Sequence, residues 1–125
     1  MDLQLHKPGD HNFIHSVSDQ GIRVVDTVYT SAIILTPKTL IENWSVDAVQ
    51  TLQADDFEPL FELQPEVVLL GTGRQQVFPA AELLMAFYSR GIGIEAMTTE
   101  AAARTFNVLV SESRNVAAAL LPLNP

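Results

Sequence analysis

The sequence predicts an α/β fold, and three observations carry that prediction. The first third is rich in short β-type runs, the second half alternates strand-like and helix-like segments, and 125 residues match one domain of roughly 100–150 residues. Strands joined by short links read as a meander, whereas strand–helix alternation reads as a sheet covered by helices. A chain of this size buries about two thirds of its unfolded surface, enough for a core without staples.

Taken in order, Asn12 to Val17 alternates loosely, and Gly21 to Val25 follows the turn signal Ser18-Asp19-Gln20-Gly21. Val28 to Leu35 is rich in β-branched residues and reads as one strand, stopped at Thr36-Pro37 because proline cannot donate to a ladder. Trp44 falls where no period is visible, in a loop or irregular strand over the core. Asp55-Asp56 ahead of Phe57, Leu60, Phe61 and Leu63 predicts a short helix, with carboxylates at its positive end. Pro59 fits within its first turn and Pro65 ends it.

Val67-Val68-Leu69-Leu70, bounded by Pro65 and Gly71, suits a central strand buried on both faces. Leu83, Leu84, Phe87 and Tyr88 predict a helix within Pro79 to Arg90, closed by Gly91. Ile92 to Met97 follows as a short strand. Thr98 or Thr99 then caps a helix carrying Ala102, Ala103, Phe106, Leu109 and Val110. Val116 to Leu121 is read as a last strand, because Ser113, Arg114 and Asn115 break the helix before it. The expected order is β-β-β-α-β-α-β-α-β, in a single domain with no repeat or linker.

Composition narrows the function classes. Seven Lys and Arg against fifteen Asp and Glu give a net charge of −8, which opposes a phosphate backbone and excludes nucleic acid as a general partner. No apolar run approaches the roughly 18–20 residues of a membrane span. The start Met1-Asp2-Leu3-Gln4-Leu5-His6-Lys7 lacks a basic segment followed by an apolar one, so no signal peptide is expected. Asp2, and no arginine before Arg23, count against a mitochondrial presequence. The expected location is the cytoplasm.

The absence of cysteine removes thiolate zinc sites and cysteine nucleophiles. His6, His11 and His15 have no cysteine partner and read as solvated or capping residues, so no metal is assigned. Ser31, Ser111 and Ser113 lack a nucleophile-elbow context. No residue is assigned as catalytic and no cofactor is expected.

Two segments could hold a ligand. In Leu69-Leu70-Gly71-Thr72-Gly73-Arg74 a strand runs into a glycine turn, where Thr72, Gly73 and Arg74 could hold an anion through backbone N–H groups and a guanidinium. The turn lacks the third glycine of a dinucleotide fingerprint and the Gly-Lys-Ser/Thr of a P-loop. Read plainly, it is a sharp turn. Thr105, Asn107, Glu112 and Arg114 form the second group, able to share a pocket with Arg74 if the two strand ends meet. Glu112 would be the acid or base of such a pocket, and it reads equally as an ion pair with Arg114.

Several segments together resemble one family. They are Ile33-Ile34-Leu35-Thr36-Pro37, Pro65-Glu66-Val67-Val68-Leu69-Leu70-Gly71-Thr72-Gly73 and Gly91-Ile92-Gly93-Ile94-Glu95-Ala96-Met97-Thr98-Thr99, then Ala102-Ala103-Arg104-Thr105-Phe106-Asn107-Val108-Leu109 running on through Glu112-Ser113-Arg114-Asn115-Val116-Ala117-Ala118-Ala119-Leu120. Their order and spacing resemble the small α/β domain family that includes mitochondrial complex I assembly factor three, the adipogenesis-associated domain protein and many uncharacterised bacterial proteins. The resemblance implies three layers: a central mixed β-sheet, helices on one face, and a smaller β+α layer on the other. It also implies a last strand antiparallel to its neighbours. For function it implies a non-enzymatic, assembly-factor-like domain that binds a protein partner, with self-association left open. The rival expectation is a small-molecule anion site, or an enzyme, at the Gly71-Thr72-Gly73-Arg74 turn.

Overall fold

Residues 11–46 and 48–124 are described by a computed structural model. The N-terminal strands β1 (Ile14–Ser18), β2 (Gly21–Val24) and β3 (Thr27–Tyr29) form an antiparallel meander. A second sheet takes β4 (Ile33–Leu35), β5 (Leu40–Ile41), β6 (Val67–Gly71), β7 (Gly93–Met97) and β8 (Val116–Leu120), in the order β5-β4-β8-β6-β7. It is mixed: β6 runs parallel to β7 and β8, while β4 runs antiparallel to β5 and β8. The helices are α1 (Glu58–Leu63), α2 (Ala81–Tyr88) and α3 (Thr99–Ser111).

Alternation along the central strands sorts their side chains into two cores. Ile34, Val68, Leu70, Ala117 and Ala119 face α1, α2 and the loop carrying Trp44. There Phe87 meets Phe61 and Phe57 near edge-on, at 4.9 Å and 5.0 Å between centroids. Ile33, Leu35, Leu69, Ala118 and Leu120 face the opposite way, onto Ala102, Ala103 and Phe106 of α3 and onto Ile14, Ile22 and Val24 of the meander. Helices on one face and a β+α layer on the other give the expected three layers.

Most predicted elements lie within a residue or two of their expected ends. Thr98 is the cap of α3, its hydroxyl accepting from the Ala101 N–H at 3.2 Å, and Pro59 sits in the first turn of α1. Trp44 lies in irregular chain and is buried, its indole N–H donating to the Asp56 carbonyl at 2.8 Å.

Three expectations are corrected. The run Val28 to Leu35 is two strands in different sheets, β3 on the meander and β4 in the central sheet. The chain bends between them at Ser31, and the Ala32 carbonyl accepts from the Trp44 N–H at 2.9 Å. β-branched content favours extended chain but does not say which sheet receives it. The short strand β5 went unforeseen because two residues carry no period; it exists through its pairing, Ile34 opposite Ile41. Finally, β8 is antiparallel to β4 but parallel to β6. That orientation governs the candidate site.

Candidate functional site

Because β6 and β8 are parallel, the segment leaving β6 and the segment entering β8 lie at opposite ends of the sheet. Arg74 follows β6 and Arg114 precedes β8. The five residues of β6, at roughly 3.3 Å each, separate them. The structure therefore does not bring Thr72, Gly73, Arg74, Asn107, Glu112 and Arg114 into one concavity. It distributes them over three places.

At the C-terminal end of β6 the polar groups are turned inward. The Thr72 hydroxyl donates to the Gln75 carbonyl at 2.6 Å and accepts from the Val77 N–H at 3.2 Å, which closes the turn. The Gly73 N–H donates to Thr99 Oγ1 at 2.8 Å, and that fully buried hydroxyl donates to the Leu121 carbonyl at 2.6 Å. Gly73 has a φ of +96°, which glycine adopts without strain. Arg74 is exposed and ion-paired with Asp19 of the β1–β2 turn, and also donates to Asn124 Oδ1 at 3.3 Å. Thr72, Gly73 and Arg74 line a concavity of about 220 Å³ together with Val49, Val77 and Leu121. Among the described residues, the backbone N–H of Gly73 and the guanidinium of Arg74 are already engaged.

At the N-terminal end Arg114 Nε donates to Glu66 Oε1 at 2.7 Å. That bond holds the Glu66 carboxyl below the usual carboxylate range and raises the Arg114 pKa. The Asn115 N–H adds a bond to the same oxygen at 3.3 Å. Glu112 is exposed and reaches Arg114 only as a weak electrostatic neighbour. The ion pair foreseen between Glu112 and Arg114 is thus made by Glu66 instead, because Glu66 enters β6 beside the entry to β8. A cleft of about 660 Å³ opens here between Phe61, Gln64, Glu66, Arg90 and Asn115. The Arg90 guanidinium lies 4.2 Å from the centroid of Phe61.

Asn107 belongs to neither end. Its side-chain oxygen accepts from the Ile14 N–H at 2.9 Å and its amide donates to the Ile14 carbonyl at 2.8 Å. It thereby completes the outer edge of β1 as a neighbouring strand would. His6 lies outside the described residues. The His11 ring Nδ1–H donates locally to the Asn12 carbonyl at 3.2 Å, and His15 packs edge-on to Phe13 at 5.0 Å. Among the described residues no group of three His, Asp or Glu could hold a metal ion, and no helix is long and apolar enough to cross a membrane.

Sequence reasoning missed Thr99, Glu66 and Asp19 as partners. Thr99 carried a signal only as a helix cap, although Gly71 hinted at it. A glycine inside a strand marks a close approach, and a Cβ on Gly71 would sit 2.9 Å from Thr99 Oγ1 and 2.8 Å from Leu120 Cδ2.

Together these features define a three-layer α/β domain whose polar residues at the strand ends are used internally. Over residues 14–121 the sequence matches the family described as protein of unknown function (DUF498/DUF598), and the chain belongs to that family. It is 32% identical over 112 residues to the mouse protein named NADH dehydrogenase (ubiquinone) 1 alpha subcomplex assembly factor 3, covering 88% of this chain and 60% of the relative. The chain thus spans about 60% of that relative's length. It is also 28% identical over 94 residues to the 13 kDa major membrane protein of Francisella tularensis, covering 74% and 76% of the two chains. A Xanthomonas campestris protein solved by NMR superposes with a TM-score of 0.83 at 39% identity, over 98% of this chain and 93% of the other.

Proposed function

We propose that this chain is a non-enzymatic protein-binding domain, cytoplasmic, which acts as the assembly factors do in the building of a larger complex. The observation that carries the reading is where polar and apolar groups are spent. The hydroxyls and amides near the candidate sites bond within the chain, whereas Phe78, Met85 and Tyr88 stand exposed in and just before α2, Phe78 by 75%. Exposed large apolar side chains gathered on one element mark an interaction surface. The likeness to the mouse assembly factor over 88% of this chain supports the same reading.

The test is deletion in the native host. Loss of the chain lowers the amount of assembled NADH dehydrogenase on native gels, and a plasmid copy restores it. Unchanged assembly in the deletion strain would sink the proposal. Cell fractionation checks the location, and recovery with membranes, the setting named for the Francisella relative, would overturn that part.

A second reading rests on the 220 Å³ concavity at Thr72, Gly73 and Arg74: a small anion held there once Arg74 exchanges Asp19 for it. Binding to the folded state raises the unfolding temperature. A screen of metabolite anions by thermal shift, with Arg74→Ala as control, is its test. No shift with any anion removes the reading.

A further inference from the structure

The sheets have four outer edges, and they are not equally closed. β5 and β3 are two and three residues long, and β1 lies along α3 with Asn107 bonded to both backbone groups of Ile14. β7 has five residues and, among the described residues, a neighbouring strand on one side only.

In a parallel ladder alternate residues bond to the neighbour. Gly93 N–H donates to the Glu66 carbonyl at 3.1 Å and the Met97 carbonyl accepts from Thr72 N–H at 2.8 Å. Gly93, Glu95 and Met97 therefore face β6, and the backbone N–H and C=O of Ile94 and Ala96 point away from the sheet. One of those four groups is covered: Gln76 Nε2 donates to the Ala96 carbonyl at 2.9 Å.

What surrounds this edge gives its chemistry. Ile94 and Ala96 place their side chains in the α1–α2 core. Glu82 lines the groove against Gln53 and Ala54. Helix periodicity then puts Leu84 and Tyr88 on the opposite flank of α2, the helix that packs on β7. Tyr88 is 56% exposed, and Phe78, two residues beyond Gln76, is exposed too. On the other face of the sheet stands the exposed carboxylate of Glu95, in a chain of net charge −8.

We infer that the β7 edge receives an extended, basic segment of a partner protein as an added strand. This deepens the protein-binding reading proposed above and rests on it. A strand laid against Ile94–Ala96 puts its alternate side chains on the two faces of the sheet. Residues opposite Ile94 and Ala96 lie on the face bearing Tyr88 and are apolar. The residue between them lies opposite Glu95 and is Lys or Arg, since opposite charges across a strand pair attract.

The same geometry argues against a second copy of this chain. Glu95 is the middle residue of β7, so a two-fold pairing of the whole strand sets it against its own copy, and like charges directly opposite are unfavourable.

A phage library of random dodecapeptides, selected on the purified full chain, is the probe. Enriched peptides alternate apolar with basic residues. The synthetic form of the strongest slows hydrogen exchange at the Ile94 and Ala96 amides in NMR spectra, and in Glu95→Lys its Kd rises about tenfold or more. Ala96→Pro keeps the fold, because an edge strand tolerates proline where the N–H faces solvent, and loses the peptide. Enrichment of acidic sequences, binding that survives both variants, or dimerisation of the chain through β7 in sedimentation runs would overturn the inference. In the deletion strain a wild-type copy restores assembly and the two variants do not. Full rescue by both variants ends the edge proposal alone, whereas a deletion without effect ends the protein-binding reading itself.

Discussion

The two ends of β6 use their polar residues in opposite ways. At the C-terminal end Thr72, Gly73 and Thr99 form a closed set of hydrogen bonds against the core, and Thr99 has no exposed surface. At the N-terminal end Glu66 and Arg114 form a single ion pair whose side chains are each about half exposed. A polar group withdrawn from water incurs its full desolvation cost if its partner is removed, whereas an exposed ion pair has water as a substitute. The end that is hydrogen-bonded out of sight is therefore where stability is held, and the charged end, although more conspicuous, matters little to it.

Substitutions sharpen that contrast. Gly71→Val is the most damaging, because its Cβ would already fall 3.0 Å from Thr99 Cα and 2.8 Å from Leu120 Cδ2. Overpacking of this kind costs about 3 kcal/mol, read as a lower urea midpoint at unchanged slope. Next is Thr99→Val, which leaves the Gly73 N–H and the Leu121 carbonyl unpaired and costs about 2 kcal/mol in the same measurement. Thr99→Ser recovers most of it; failure of that rescue would locate the effect in the methyl group instead.

Arg74→Ala removes a pair with Asp19 in which both side chains are more than half exposed. Its cost is under about 0.5 kcal/mol and falls further in salt. A loss comparable with that of Thr99→Val would break the contrast. Smallest of all is Arg114→Ala, which lowers the urea midpoint less than Arg74→Ala does. Its effect appears most clearly in an NMR titration, where Glu66 returns upward to the usual carboxylate range once the Arg114 bond that lowers it is gone. The sign follows from linkage. A carboxyl lowered in the folded state adds stability above its unfolded value of ~4.3, and that stability is lost as pH falls through the folded value.

The contrast also marks how far the sequence was legible. Arg74 and Arg114 stood out as rare cations beside turns, and each does sit at a strand end. What failed was the inference that their strand ends meet. That inference suits an antiparallel last strand, which would carry Arg114 towards the exit of β6. With β8 parallel to β6 the same residue lies a strand length away, beside Glu66. Asn107 was legible as a polar residue on an apolar helix, but its partner Ile14 is 93 positions away, beyond any local pattern.

Local chemistry alone determined the elements whose side chains repeat. The apolar run Val67–Leu70 became β6, the stripe Ala102, Ala103, Phe106 and Val110 became the buried side of α3, and Thr98 became its cap. Periodicity, proline and capping act within a few residues, so they can be read in one dimension. Tertiary structure decided everything that needed a neighbour. It split Val28–Leu35 between two sheets, made β5 from two residues, set β8 parallel to one strand and antiparallel to the other, and left β7 as an outer edge of the central sheet. A strand carries hydrogen-bonding groups along both its edges, and nothing in its own sequence says which chain will take them.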